Sequence, residues 1–238
     1  MLVPPARGQP VKARAIVALA ALLAMSFPAV AVADVIVEPS SGTSFESRPS
    51  SEGQTYMCLG AGVRKYLFWK VYAMDFCVEE SRARAEIDTY FAGPGQRYAS
   101  LRGDALAEAL RHDERFFGAM SSMRADKRAE MVFLRDASAD TLRKSFVKNL
   151  QKSFGSGDAE GAMIGDFVSP IDHDVKAGNR AIFVTHPEGE LVFAFGAKSR
   201  SLKRARVDAA FWTAYLGPDS PIGSLRDAVA RGVANLRR

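Results

Sequence analysis

Apolar positions change their spacing along the chain, and each spacing predicts an element. Residues 56–78 are apolar and aromatic, with Leu67, Phe68, Trp69, Val71, Tyr72, Met74, Phe76 and Val78 in close succession. β-Branched and aromatic side chains crowded into a short stretch predict strand, and their poor alternation predicts one buried on both faces. Gly60 and Gly62 punctuate it, where another backbone or a ligand approaches closely. Helical spacing predicts helices near 103–117 and over 138–154. The second is marked by Leu142, Phe146, Leu150 and Phe154 on one stripe. Residues 130–135 between them read as strand. The runs 181–185 and 190–195 flank His186-Pro-Glu-Gly189, which predicts a β-hairpin. Two helices close the chain. One carries Val207, Ala210, Phe211, Ala214 and Tyr215, the other spans about 222–236, and Gly217-Pro218 separates them. This order predicts an α+β domain over 55–238, an antiparallel sheet with helices layered on one face.

The first 54 residues differ. Residues 15–25 are a continuous apolar run, preceded by Arg7, Lys12 and Arg14 and followed by Ala31-Val32-Ala33. A basic head, a short apolar stretch and a small-x-small site predict a secretory signal peptide over 1–33, cleaved after Ala33. A membrane anchor is the competing reading; the apolar residues of the wider leader, about 18, sit near the lower limit for a span, and Pro28 interrupts them near the end. Residues 34–54 are rich in Ser, Pro and Gly and read as a flexible lead-in or a loosely held first strand.

With 47% hydrophobic and 25% charged residues, the 238-residue chain has the balance of a folded protein, not a disordered or multi-span one. Its net charge of +5 falls to +2 without the three cations of the leader, too little to make nucleic acid a default partner. Lys198, Arg200, Lys203, Arg204 and Arg206 form a local basic run, read as a solvated loop leading into a helix, with weak contact to an anionic membrane surface as the alternative.

Chemistry-bearing residues are sparse. His112, His173 and His186 lack metal-ligand spacing, and Asp172-His173-Asp174 reads as surface loop, so no metal is expected. No nucleophile elbow, phosphate loop or dinucleotide fingerprint is present, and no cofactor is expected. Cys58 and Cys77 face each other if 55–63 and 68–78 pair antiparallel; a disulfide and two free thiols both stay open. Arg64 stands out as a cation inside an apolar strand. Its planar fork suits a carboxylate, and Tyr72 offers a phenol to the same anion; the alternatives are an arginine reaching water or one paired with an internal acid such as Asp75.

The stretch Cys58-Leu-Gly-Ala-Gly-Val-Arg64, running on to Glu79, resembles the signature of the chalcone isomerase family, in which a Gly-x-Gly-x-Arg segment leads into a core strand. Phe133-Leu-Arg-Asp136, Gly157-Asp-Ala-Glu160, Pro187-Glu-Gly-Glu-Leu191 and the closing stretch from Ala210 to Arg226 are similar to further family elements, in order over about 55–235. The resemblance implies a large antiparallel sheet with helices on one face and a ligand cleft between them. In the plant enzymes it also implies an arginine holding a phenolate during flavanone ring closure. That arginine falls on Arg64. The family's strand threonine falls on Tyr72, its late Ser/Thr on Ala214 beside Thr213, and its lysine, tyrosine and asparagine find no counterpart. The family's plastid fatty-acid-binding branch pairs the arginine with a tyrosine, an arrangement that Arg64 and Tyr72 resemble more closely.

Three functions follow as expectations. The first is a secreted or periplasmic, non-catalytic protein holding a small amphipathic acid such as a fatty acid, with Arg64 on the carboxylate, Tyr72 as second donor, and Trp69, Phe68 and Met74 as walls. The second is an intramolecular lyase of the chalcone isomerase type using Arg64. The third is an envelope interaction module without a small ligand.

Overall fold

The computed structural model describes residues 34–51, 53–155 and 157–237. The expected leader over 1–33 lies outside them. Seven strands form one antiparallel sheet in which each strand pairs with its neighbour in the chain: β3 (Ser50–Ser51), β4 (Gln54–Tyr66), β5 (Trp69–Glu79), β6 (Lys127–Phe133), β7 (Arg180–His186), β8 (Glu190–Phe195) and β9 (Lys198–Lys203). The helices α1 (Glu80–Ala92), α2 (Gly103–Arg111), α3 (Glu114–Ser122), α4 (Ala139–Phe154), α5 (Asp158–Phe167), α6 (Val207–Leu216) and α7 (Gly223–Leu236) fill the two connections and close the chain. The expected α+β architecture holds.

Alternation along the strands divides the sheet into two faces. Tyr72, Met74 and Phe76 of β5, Ala129, Met131 and Phe133 of β6, and Phe183 and Phe193 of β7 and β8 join the helices in the main core. Ala61, Val63, Ala73 and Val132 point the other way and pack with Phe45. Phe45 belongs to a small hairpin of β1 (Val35–Val37) and β2 (Ser44–Glu46). Of the two readings of 34–54, strand describes 35–37 and 44–46. The segment is polar on average, but one aromatic ring, 1% exposed, anchors it. The buried Glu38 carboxylate accepts the Ser41 amide at 2.7 Å and holds the hairpin turn.

Other departures have local causes. The helix expected near 103–117 is two, because Asp113 caps α3, accepting the Arg115 amide at 3.0 Å and the Tyr90 hydroxyl at 2.8 Å. Helix α1 was hidden by its polar composition, since only Ala83, Ile87, Tyr90 and Phe91 are buried. Of the basic run 198–206, residues 198–203 form the edge strand β9 and only 204–206 are a turn leading into α6: Lys198 pairs with Asp172, and Lys203 lies 3.6 Å from Glu190. Lys on an exposed edge also discourages pairing with other chains. A buried polar chain fixes α6 to the sheet. Trp212 Nε1 donates to Thr185 Oγ1 at 2.7 Å, and the fully buried Lys127 donates to the Met123 carbonyl at 2.6 Å with Asp208 3.5 Å away.

Helix α7 lies directly on β4 with no side chain between. A Cβ on Gly62 would stand 2.3 Å from the Leu225 nitrogen, and one on Gly60 2.6 Å from the Ala228 carbonyl carbon. From the helix side, a Cβ on Gly232 would meet the Leu59 oxygen at 1.8 Å. Such approaches require glycine. Gly62→Ala is therefore expected to destabilise the fold by about 1–3 kcal/mol or more in urea unfolding. Gly118→Ala, where nothing lies within 4 Å inside α3, is expected to gain about 0.5–1 kcal/mol. Equal effects at the two positions would contradict this packing.

Candidate functional site

The glycine contact determines where the arginine goes. Residues 60, 62 and 64 share the helix-facing side of β4, because successive side chains of a strand alternate. α7 begins at Gly223, and Ser224 Oγ of its first turn accepts the Val63 amide at 3.0 Å. Gly60 and Gly62 lie under the helix, while Arg64 comes just beyond its start. Arg64 is half-buried and lies opposite Tyr72 in the β4–β5 register. Among the described residues it has no hydrogen bond and no carboxylate within ion-pair reach.

Three further polar side chains gather beside it. Tyr72 is buried, its ring edge-on to Phe133 with centroids 6.2 Å apart. Burial pushes its phenol up to about 12, against the nearby Arg64 charge and the Tyr215 hydroxyl, which both pull it down. Tyr215 of α6 is fully buried and lies next to Tyr72, Arg64 and Asn149 of α4. Burial and Tyr72 raise its phenol well above the ordinary range. Both phenols are therefore O–H donors at neutral pH. Tyr215 Oη and Asn149 Nδ2 are buried without a partner at good hydrogen-bond geometry, although the Tyr72, Tyr215 and Asn149 side chains are near enough to act on one another. A guanidinium, two phenols and an amide converge with no carboxylate among them, an arrangement that suits an anion or a strong acceptor.

The positions expected from sequence are brought together only in part. Arg64, Tyr72 and Met74 share the buried face. Phe68 and Trp69 do not line it: the two-residue turn at Leu67-Phe68 carries them past the end of the sheet, 95% and 60% exposed. Beside the expected Ala214 it is Tyr215 that brings a hydroxyl to the cluster. Ala214 brings no polar group, and the Thr213 hydroxyl is engaged with the Ala209 carbonyl at 2.8 Å. Asn149, unmatched in the sequence, joins from α4. No local signal singles out either residue: Gln151 is a second amide on the flank of the Leu142–Phe146–Leu150 stripe, and α6 buries Asp208 as well as Tyr215. Two clefts of about 440 and 500 Å³ lie elsewhere. One lies between Arg143, Lys148 and Gly165, the other between Lys152, Arg206 and Thr213.

The opposite face of the sheet carries a second polar group. Cys58 and Cys77 are directly opposite in register and joined by a disulfide. Asp75 Oδ2 lies 3.3 Å from Cys77 Sγ and 3.9 Å from an Arg128 guanidinium nitrogen. Asp75 Oδ1 accepts the Glu130 amide at 2.5 Å. Asp75 belongs to this cluster and leaves Arg64 unpaired. His173 sits at the surface against Asp172.

Two outcomes follow. Burial drives the Asp75 pKa up to about 7, while the Glu130 amide and Arg128 favour its charged form. The unfolded group ionises near 3.8, so between these values the folded chain holds the extra proton. Its contribution is full below about pH 4 and is lost as pH rises through about 7. Unfolding midpoints from pH 4.5 to 8 should show wild type losing stability relative to Asp75→Asn; parallel curves would contradict it. For Tyr215→Phe, deleting an unbonded buried hydroxyl should leave stability unchanged or raise it by up to about 1 kcal/mol. A loss of that size would show that the hydroxyl is already satisfied within the protein.

Neither a family model nor a curated protein matches this sequence. Among solved structures, a fatty-acid binding protein of Arabidopsis thaliana is similar, with a TM-score of 0.64, 19% identity, and coverage of 85% of this chain and 98% of that one. The fold shared with that neighbour is chalcone isomerase-like.

Proposed function

We propose that this protein is a non-catalytic binder of a small amphipathic carboxylic acid, with a fatty acid as the plainest case. The observation that carries this reading is the unpaired Arg64 guanidinium beside Tyr72, Tyr215 and Asn149. Arg64 holds the carboxylate, Tyr72 and Tyr215 donate to it, and Asn149 completes the set. Met74 and Phe133 share the buried face of the sheet with Tyr72 and have the apolar character that an acyl tail requires. A carboxylate in this place would relieve the isolated cation and the unbonded donors together, which is the usual role of an arginine fork. The likeness in fold to a protein named for fatty-acid binding supports the same reading. No member of the cluster is a base at neutral pH, which favours holding over proton transfer.

The protein is exported in this reading, through a leader cleaved after Ala33, and acts outside the cytoplasm. Support comes from the basic and apolar character of residues 1–33 and from the Cys58–Cys77 disulfide, which an oxidising compartment preserves.

The test is lipid extraction and mass spectrometry of purified protein, followed by titration with a fluorescent fatty acid. Wild type should carry and rebind long-chain acids. Arg64→Ala should bind roughly tenfold to a hundredfold more weakly, the range for one charge-assisted contact. Equal retention by the variant would overturn the assignment of Arg64. Chalcone ring closure faster than buffer, followed by absorbance, would instead assign the lyase activity.

A further inference from the structure

The β4–β5 hairpin ends in four consecutive large apolar residues that pack against nothing in the core. Tyr66, Leu67, Phe68 and Trp69 are 64%, 75%, 95% and 60% exposed. Isolated exposed apolar residues are ordinary, but a contiguous aromatic tip marks an interaction surface. The turn also departs from what its backbone prefers. Leu67 has φ +52°, a left-handed conformation that glycine or asparagine adopts far more cheaply in a two-residue hairpin turn. Leucine and phenylalanine at these two positions strain the fold and add nothing to its core, which points to a use outside it.

Charge says what the tip fits. Lys65 and Lys70 face each other directly behind it in the register, and like charges opposite one another on paired strands repel. Lys70 donates to the Ser40 carbonyl, Arg135 lies over the Trp69 ring at 4.8 Å, and the sequence between Gln54 and Met74 contains no acid. The cations lie two residues back from the apex, about 7 Å along a strand. That matches the depth to which amphipathic elements sink below the headgroups, about 5–10 Å. Tyr66 and Trp69 occupy the level between, where amphipathic rings favour the membrane–water boundary. The tip is convex. A protein partner would need a fitted hollow for four bulky side chains, whereas acyl chains close around a wedge of any shape.

We propose that the β4–β5 tip docks this protein on an anionic lipid bilayer, Leu67 and Phe68 entering the acyl boundary and Lys65, Lys70 and Arg135 meeting the headgroups. The surface stands on its own observations and not on the carboxylate reading of Arg64. Should both hold, tip-first docking brings the Arg64–Tyr72 pair, next behind the lysines, towards the bilayer.

Tryptophan fluorescence tests this directly. The chain has two tryptophans, Trp69 at the tip and Trp212 fully buried, so quenching by brominated lipid reads the tip. The full chain is mixed with vesicles of phosphatidylcholine alone or with roughly a third phosphatidylglycerol, and Trp69→Phe identifies the responding ring. On anionic vesicles Trp69 emission should shift to the blue and be quenched by bromines near the headgroup end of the acyl chain. Binding read by this signal should fall about tenfold in Leu67→Ser/Phe68→Ser and severalfold in Lys65→Gln/Lys70→Gln or at high salt. All four positions are exposed, so melting temperatures should stay at or above wild type. Vesicle association with Trp69 unquenched would place attachment in another segment, residues 1–33 included, and overturn the proposal. No association with either vesicle would also overturn it, and capture of a protein by the tip in that case would reassign the surface.

Discussion

The contact between α7 and β4 is the constraint on which the rest of the structure depends. Three glycines, two on the strand and one on the helix, allow backbone to meet backbone. A helix that close covers two positions on one side of the strand and leaves the third uncovered. Arg64 is that third position, so the spacing Gly-x-Gly-x-Arg encodes an arginine placed at the edge of a covering helix. The Ser224 hydroxyl, bonded to the Val63 amide, fixes how far along the strand the helix starts. The half-burial of Arg64 follows from this packing.

The two faces of β5 separate two kinds of polar chemistry. Facing the helices, Tyr72 joins Arg64, Tyr215 and Asn149, and no described residue supplies an internal anion. Facing the small hairpin, Asp75 already has its partners, the Glu130 amide and Arg128, and lies beside the disulfide. Asp75 was the internal acid most open to pairing with Arg64 in the sequence, and strand alternation places it on the opposite side of the sheet. Unbonded buried polar atoms cost stability, and folds tolerate them where something outside the protein satisfies them. Tyr215 Oη and Asn149 Nδ2 fit that pattern.

Much of this was legible in the sequence, for definite reasons. The 3.6-residue stripe of α4, the hairpin of β7 and β8 and the closing pair of helices are written in side-chain periodicity, and the glycines and Arg64 in an unusual local composition. Legibility failed where tertiary packing overrode local pattern. A single phenylalanine anchors a hairpin over 35–46 within the polar stretch 34–54. A bulge at Leu59 brings both Met57 and Gly60 to the helix side, which no period-two reading anticipates. Phe68 and Trp69 look like core by hydrophobicity; only the position of the turn shows that they lie beyond the sheet. Asn149 and Tyr215 come from α4 and α6, far from Arg64 in the chain, and no local pattern announces their meeting.

The central claim is that Arg64 lacks an internal counter-charge and takes a ligand's carboxylate in its place. The most direct measurement is the carbon-13 NMR titration of a fatty acid labelled at its carboxyl group and bound to the protein. Beside an unpaired guanidinium the bound carboxylate stays ionised to lower pH than the free acid, and Arg64→Met removes that depression. A bound acid that titrates at or above the free acid's pKa, or whose titration is unmoved by the substitution, would contradict the account.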